Sequence, residues 1–182
     1  MSKIICILYT ETNGLHNTND DVSKKNMYQY ARLIALHYSI GYLENGKYIE
    51  TKKVKHILKP KCIVFDPEAQ KFHKITIEKA MEKGVDNLQV ISELRDDLKK
   101  VKIIVSHNLP FHIRAIQTEC FRTCININFP RFILIDTISF GHEYEFPKLI
   151  NLAKKLNIST DNKKQLKLIR KVFISLYKTY QK

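Results

Sequence analysis

The amino-acid sequence predicts an α/β domain in which helices flank a mixed β-sheet. The β-branched apolar run at residues 4–8 has the length and composition of a buried strand, and it ends in polar residues. Asn45-Gly46 lies between two strand-like runs, which is a strong signal for a β-hairpin. Helical patterns then alternate with two further strand-like runs, and this order is typical of an α/β sheet domain. No linker, repeat or low-complexity block interrupts residues 1–182, which predicts a single domain.

Local signals predict the elements in chain order. Thr76 is a typical N-cap residue and Gly84 a typical helix end, so together they delimit a short helix. Apolar residues from Leu88 to Leu98 recur at helical spacing and predict a second helix over residues 88–100. The remaining predictions, by residue number, are a loop at 16–27, hairpin strands at 32–43 and 47–58, a connector at 61–75, a strand at 101–106, a helix at 111–123, a short buried strand at 132–135, and helices at 146–156 and 163–180.

The cysteine content argues against a zinc site. The four cysteines, Cys6, Cys62, Cys120 and Cys124, have no further ligands at a usual zinc spacing. We therefore predict buried free thiols, with Cys120 and Cys124 on one face of a helix.

The charge balance indicates a polyanionic partner. The chain has 31 Lys and Arg against 18 Asp and Glu, a net charge of +13, which favours nucleic acid as a partner without separating DNA from RNA or from an acidic protein. The abundance of lysine and isoleucine is also typical of an AT-rich genome, such as that of a virus or a parasite. No apolar run approaches the roughly 20 residues that span a membrane, and no signal peptide is visible. We expect an intracellular protein, in the cytoplasm or the nucleus, with no membrane partner.

The end of the first predicted strand carries the most informative motif. An apolar run leads into Tyr9, Glu11 and Thr12, followed by Gly14 and Leu15. This stretch resembles the first motif of the DnaQ-like (DEDD) 3′–5′ exonucleases, apolar-Asp-x-Glu-Thr-x-Gly-Leu. Tyr9 stands where that family has its first metal-binding aspartate, whereas Glu11 is retained.

Two further segments extend the resemblance over roughly residues 3–178. His107, Asn108 and Phe111 match the second motif, and His112 stands in the place of its aspartate. In the third motif, Gln165 takes the place of the histidine and Arg170 that of the last aspartate. Lys74 and Asn157 occupy positions at which the family has glycine. The resemblance implies a ribonuclease-H-like (exonuclease) mixed β-sheet flanked by helices.

The replaced motif positions predict the loss of ordinary two-metal hydrolysis. In the family, four carboxylates hold two divalent cations about 4 Å apart, and a histidine or tyrosine acts as general base. Carried over by position, this chain has Tyr9, Glu11, His112 and Arg170, with Gln165 for the base, so one carboxylate of four remains. We therefore expect no metal ligands and no cofactor, with Mg²⁺ or Mn²⁺ required only if the protein is an enzyme with a rewired site. Arg170 is predicted to pair with Glu11 and to occupy the site electrostatically.

Three functions remain open at this stage. The first is a catalytically inactive exonuclease-like protein that binds nucleic acid or scaffolds a nucleic-acid-processing complex, for example in DNA replication. The second is an active exonuclease with a rewired site that uses Glu11, Asp136, His107 or His112. The third is a protein-interaction module. For the first, the candidate nucleic-acid-binding residues are Asn108 and the basic residues of the last helix, Lys163, Lys164, Lys167, Arg170 and Lys171. For the motif positions, plain structural roles are equally open: His107 as a core histidine and Asn108 as a turn residue.

Overall fold

The structure is a computed structural model that describes residues 3–61, 64–140, 148–160 and 164–179. Its centre is a five-stranded sheet in the order β3-β2-β1-β4-β5. β1 (Ile4–Thr12) lies in the middle, antiparallel to β2 on one side and parallel to β4 on the other. The sheet is therefore mixed, and the predicted α/β class with a mixed β-sheet flanked by helices is confirmed.

The predicted hairpin is confirmed and supplies the antiparallel half of the sheet. β2 (Leu33–Glu44) pairs with β3 (Lys47–Ile57) from Ala35 to Glu44, with one register shift after Ile40. Asn45 and Gly46 join the strands, with φ angles of 50° and 69°. Two consecutive positive φ angles define a type I′ turn, which matches the twist of antiparallel strands.

The parallel half of the sheet consists of β1, β4 (Ile103–Ser106) and β5 (Ile133–Asp136). The carboxyl ends of these strands lie at one edge of the sheet, so the residues that follow them are brought together. The prediction of a buried strand at 132–135 is wrong about burial, because β5 is an edge strand. Ile133 and Leu134 are 50% and 44% exposed.

Helices cover both faces of the sheet. α3 (Asn87–Asp97) and α4 (Leu109–Thr123) pack on the face that carries Cys6 and Leu8. α6 (Leu149–Lys155) and α7 (Gln165–Thr179) pack on the face that carries Ile5 and Ile7. The other helices are α1 (Pro67–His73), α2 (Ile77–Lys83) and α5 (Thr137–Phe140). For the last two predicted helices, residues 146, 147, 163 and 180 lie outside the described residues.

The connector predicted at 61–75 contains a helix that the sequence analysis missed. Asp66 caps α1, because its side chain accepts hydrogen bonds from the backbone N–H groups of Glu68 at 2.8 Å and Ala69 at 3.1 Å. Pro67 occupies the first turn, where a missing N–H does no harm. Asp followed by Pro was therefore a helix-start signal rather than a loop signal.

Two positions at which the resembled family has glycine adopt a backbone conformation typical of glycine, although this chain has other residues there. Lys74 and Asn157 have φ angles of 58° and 54°, in the left-handed region where a side chain is disfavoured. The structure confirms that both residues stand at positions that favour glycine.

The thiol prediction is confirmed in part. Cys6 and Cys120 are buried, whereas Cys124 is exposed, because α4 ends at Thr123 and Cys124 is its left-handed cap. Cys124 therefore does not share a helical face with Cys120. Cys62 lies outside the described residues.

A buried carboxylate ties α4 to the hairpin and to α3. The Glu119 side chain is fully buried and accepts hydrogen bonds from Arg32 Nε at 2.8 Å, Asn87 Nδ2 at 2.9 Å and Arg122 Nη1 at 3.0 Å. A buried charge is tolerated when it is paired and hydrogen-bonded in this way. This network holds three elements together beneath the motif-bearing edge of the sheet, which is the end at which β1 and β4 lead into the first two motifs.

Candidate functional site

The candidate site lies at the carboxyl end of β1. Side chains alternate along a strand, so Tyr9 and Glu11 share the face of Ile5 and Ile7, towards α6 and α7. Thr10 points to the opposite face. Tyr9 and Glu11 thus occupy the same side of the sheet, as the motif resemblance implies for two metal-ligand positions.

Tyr9 is stacked on a histidine that the sequence analysis missed. The pairing of β1 with β2 places His37 directly opposite Tyr9, and the two rings are parallel within 6° with centroids 4.7 Å apart. Burial raises the pKa of Tyr9 to about 12, with a smaller contribution from the Glu11 charge. Tyr9 is therefore a neutral phenol at physiological pH, which makes it a poor magnesium ligand.

His37 is also neutral. Burial, and to a smaller extent the positive charge of Lys55 on β3, lower its pKa to about 4. Its Nδ1 atom is buried, and among the described residues it has no hydrogen-bond partner. The hairpin turn gave the register of β2 against β3, but no local signal aligned β2 with β1, so the sequence did not place His37 at this site.

Glu11 keeps its carboxyl group in an environment that disfavours the charge. It is partly buried, and within the described part of the chain its side chain forms no hydrogen bond or ion pair. Burial raises its pKa to about 7. The one retained motif carboxylate therefore holds its proton more tightly than an ordinary glutamate does.

His112 does not face Glu11 as a free ligand. Its Nε2–H donates to the His107 carbonyl at 3.1 Å, so Nδ1 is the unprotonated nitrogen and accepts from the Thr10 backbone N–H at 3.1 Å. The Thr10 hydroxyl lies 2.8 Å from the same nitrogen. Desolvation lowers the pKa of His112 to about 4. Nδ1 thus joins α4 to β1 and Nε2 bonds the β4–α4 turn, which leaves no lone pair for a metal ion.

Asp136, a second carboxylate at this edge, caps α4. Its Oδ1 accepts from the Asn108 N–H at 2.8 Å and its Oδ2 from the Leu109 N–H at 2.9 Å. Oδ1 also accepts from the Ile138 N–H at 3.0 Å. Three backbone donors satisfy this carboxylate, and they stabilise the sharp turn between β4 and α4.

The two residues of that turn that match the second motif, His107 and Asn108, have structural roles. Asn108 is exposed and adopts the left-handed conformation, with φ 64°. His107 Nδ1 lies 2.8 Å from the Thr137 hydroxyl. His107 and Asn108 therefore build the β4–α4 turn, and the exposed Asn108 side chain stays a candidate for contact with nucleic acid.

The predicted ion pair between Arg170 and Glu11 is wrong. Arg170 Nη1 instead donates to Glu50 Oε2 at 3.0 Å. Glu50 pairs with Gly41, and Gly41 pairs with Ile5, six residues before Glu11 on the same strand. At about 3.3 Å per residue, the two carboxylates are separated by about 20 Å along the sheet. Arg170 belongs to the hairpin side of α7.

The other third-motif and basic positions are distributed along α7. Gln165 is its first residue and is partly buried, while Lys164 just before it is exposed. Lys167 and Lys171 are partly exposed on the outer side of the helix. Lys163 lies outside the described residues. Lys178, which the sequence analysis missed, lies seven residues beyond Lys171 and so continues the same helical face.

Within the described ranges, no group of three or more His, Cys, Asp or Glu side chains could hold a metal ion. In the same ranges, no helix is long and apolar enough to span a membrane. Glu11 is the one motif-position side chain there with an uncommitted carboxylate.

Solved exonuclease I structures share this fold. A product-bound exonuclease I aligns with a TM-score of 0.78 at 14% identity, over 98% of this chain and 44% of its own. E. coli exonuclease I in complex with a dT13 oligonucleotide aligns with a TM-score of 0.78 at 15% identity, over 100% of this chain and 42% of its own. A complex of exonuclease I with SSB-Ct aligns with a TM-score of 0.77 at 15% identity, over 100% and 42%.

These matches extend over less than half of the neighbours' length, and at this identity they show the fold alone. No protein-family profile matches the sequence, and no curated protein matches it. The resemblance seen in the three motifs is thus confirmed as a likeness to the exonuclease fold.

Proposed function

We propose that this protein binds nucleic acid with an exonuclease fold and does not cut it. The observation that carries the proposal is the state of the motif positions: Tyr9 is stacked on His37, and both nitrogens of His112 are hydrogen-bonded within the protein. Both side chains are neutral where the family has carboxylates, and their contacts are those of packing residues.

The chemistry of phosphodiester hydrolysis supports the hypothesis that the protein does not cut nucleic acid. Two divalent cations need several anionic oxygen ligands to hold them about 4 Å apart, to activate water and to stabilise the leaving oxygen. Magnesium in particular prefers carboxylates and binds weakly where negative charge is lacking. Glu11 with a pKa of about 7 supplies at most one such ligand, and Asp136 is occupied by three backbone donors.

Charge and fold likeness support nucleic acid as the partner. The net charge is +13, and residues 164–179 contain five basic side chains and no acidic one. Solved structures with a similar fold include exonuclease I with an oligonucleotide and with SSB-Ct. This similarity suggests single-stranded nucleic acid, a protein of a nucleic-acid-processing complex, or both as partners. Binding through lysines to phosphates would be independent of base sequence and sensitive to salt.

The test scores binding and degradation in the same samples. Fluorescently labelled single-stranded DNA and RNA are mixed with the purified chain, with and without Mg²⁺ or Mn²⁺. Fluorescence polarisation reports binding, and denaturing gels report degradation. We expect salt-sensitive binding and intact oligonucleotide with either metal. The matched variant Glu11→Gln should bind as the wild type does.

Two outcomes would overturn the proposal in different directions. Metal-dependent degradation that Glu11→Gln abolishes would make the protein an active exonuclease with a rewired site. Absence of both binding and degradation would favour the protein-interaction module.

A further inference from the structure

A groove on the far side of α7 carries basic and hydroxyl side chains that the motif comparison does not explain. It has a volume of about 380 Å³ and lies between the α6–α7 connection and the outer face of α7. Ser159 lines one wall, and Lys171, Ser175 and Lys178 line the other. The left-handed Asn157 reverses the chain after α6 and so forms the end of the first wall.

The spacing along α7 brings the two lysines to the same groove. Lys171, Ser175 and Lys178 are separated by four and three residues, which places them on one helical face. At 1.5 Å per residue, the lysine backbones are about 10 Å apart along the helix axis. Their long side chains can therefore reach a shared anion from opposite sides, with the Ser175 hydroxyl between them.

No negative charge offsets these lysines within the described part of the groove. The lining contains no Asp or Glu, and the described ion pairs include neither Lys171 nor Lys178. Arg170, one residue away, differs because Glu50 pairs with it. Unpaired lysines beside hydroxyl groups suit a phosphate group, which accepts charge-assisted hydrogen bonds.

The groove is remote from the motif-bearing edge of the sheet. A methyl group on Gly46 would lie 3.2 Å from Lys178 Cε, so Lys178 reaches the β2–β3 turn. That turn lies beyond Ile4, because Tyr42 pairs with Ile4. Glu11 is seven residues further along β1, or about 23 Å away at the usual rise of a strand.

We propose that this groove binds backbone phosphates of nucleic acid, as a contact point separate from the former catalytic edge. The proposal rests on the nucleic-acid-binding function proposed above and specifies where on the chain the strand lies. The groove is open to solvent rather than enclosed, which suits the backbone phosphate of a strand that passes over it. No aromatic side chain lines it, so it offers no surface for base stacking and would contact phosphates independently of base sequence.

The experiment compares two pairs of lysines in the full chain. One double variant carries Lys171→Ala and Lys178→Ala in the groove. The control carries Lys79→Ala and Lys83→Ala on α2, where both lysines are exposed. Each double variant lowers the net charge of +13 by two. Alanine favours helix, so both variants should fold, and thermal unfolding checks this.

Binding of a labelled oligothymidylate is then measured by polarisation over a series of sodium chloride concentrations. Each lost phosphate contact to a single strand lowers the magnitude of the slope of log K against log salt by about 0.7. The loss of two contacts should therefore lower it by about 1.4 and weaken binding on the order of tenfold near 0.1 M salt. We expect these changes in the groove variant, less than about twofold weakening in the control, and recovery in the charge-preserving variant with Lys171→Arg and Lys178→Arg.

The outcomes separate the groove from the proposed function. If the wild type binds and both alanine variants weaken binding equally, the groove proposal fails while the nucleic-acid function stands. If the wild type binds neither DNA nor RNA, both proposals fail. If polyglutamate displaces the oligonucleotide as effectively as unlabelled oligothymidylate does, the groove is a general docking surface for acidic chains, and its assignment to nucleic acid fails.

Discussion

The retained motif carboxylate offers the sharpest test of whether this edge of the sheet still serves chemistry. Glu11 has no partner among the described residues, and burial raises its pKa from an ordinary 4.5 to about 7. We predict that Glu11→Gln, which keeps the shape and removes the ionisable group, stabilises the protein at alkaline pH. A residue held in place by metal ions would behave in the opposite way, because its replacement would remove a ligand.

The sign and size of the effect follow from proton linkage. A carboxyl group with a raised pKa stabilises the folded state fully below pH 4.5, and this stabilisation is lost as the pH rises through 7. At about 1.36 kcal/mol per pKa unit, the difference corresponds to about 3 kcal/mol, and partial exposure reduces it to about 2 kcal/mol. Glu11→Gln should therefore match the wild type near pH 4.5 and exceed its unfolding free energy by about 2 kcal/mol at pH 8.

Urea unfolding of both proteins between pH 4.5 and 8 measures this difference. Glu82→Gln is the matched control, since Glu82 is an exposed carboxylate on α2 and its replacement should change stability by less than about 0.5 kcal/mol. Addition of Mg²⁺ should leave the wild-type unfolding curve unchanged. Wild-type and Glu11→Gln curves that run parallel at every pH would refute the reasoning, as would stabilisation of the wild type by Mg²⁺ that the variant lacks.

Three further predictions concern the elements around this edge. Glu119→Gln places an amide N–H₂ against the donors of Arg32, Asn87 or Arg122. We expect the unfolding free energy to fall by about 3–5 kcal/mol and the melting temperature to fall by about 6–20 °C. An unchanged melting temperature would contradict the buried network. Burial lowers the pKa of His112 from 6.5 to about 4, so the unfolding free energy of the wild type should fall as the pH drops from 6.5 to 4. Urea unfolding of His112→Asn should show a lower unfolding free energy at pH 7 and a smaller decrease between pH 6.5 and 4. Lys74→Gly relieves a left-handed φ of 58° and should raise the unfolding free energy by about 0.5–1 kcal/mol in thermal or urea unfolding, whereas equal or lower stability would argue against strain at this residue.

Local signals were sufficient for most elements of the fold. The Asn45-Gly46 turn, the Thr76 cap and the apolar periodicity of α3 depend on neighbours in the chain, and each was found where it was predicted. The misses depend on context. β5 has a buried strand's composition but lies at an edge, and the Asp66-Pro67 helix start was read as a loop.

The sequence by itself determined which carboxylates are missing, because the identities of Tyr9 and His112 are visible within their motifs. Only the tertiary structure decided what replaces them. The stack of Tyr9 on His37 depends on the register between β1 and β2, and the hydrogen bond from the Thr10 N–H to His112 Nδ1 depends on how α4 meets β1. The Arg170–Glu50 pair likewise joins residues 120 positions apart. Such contacts are long-range, so no local propensity encodes them, and the packing of the whole sheet determines which side chain meets which.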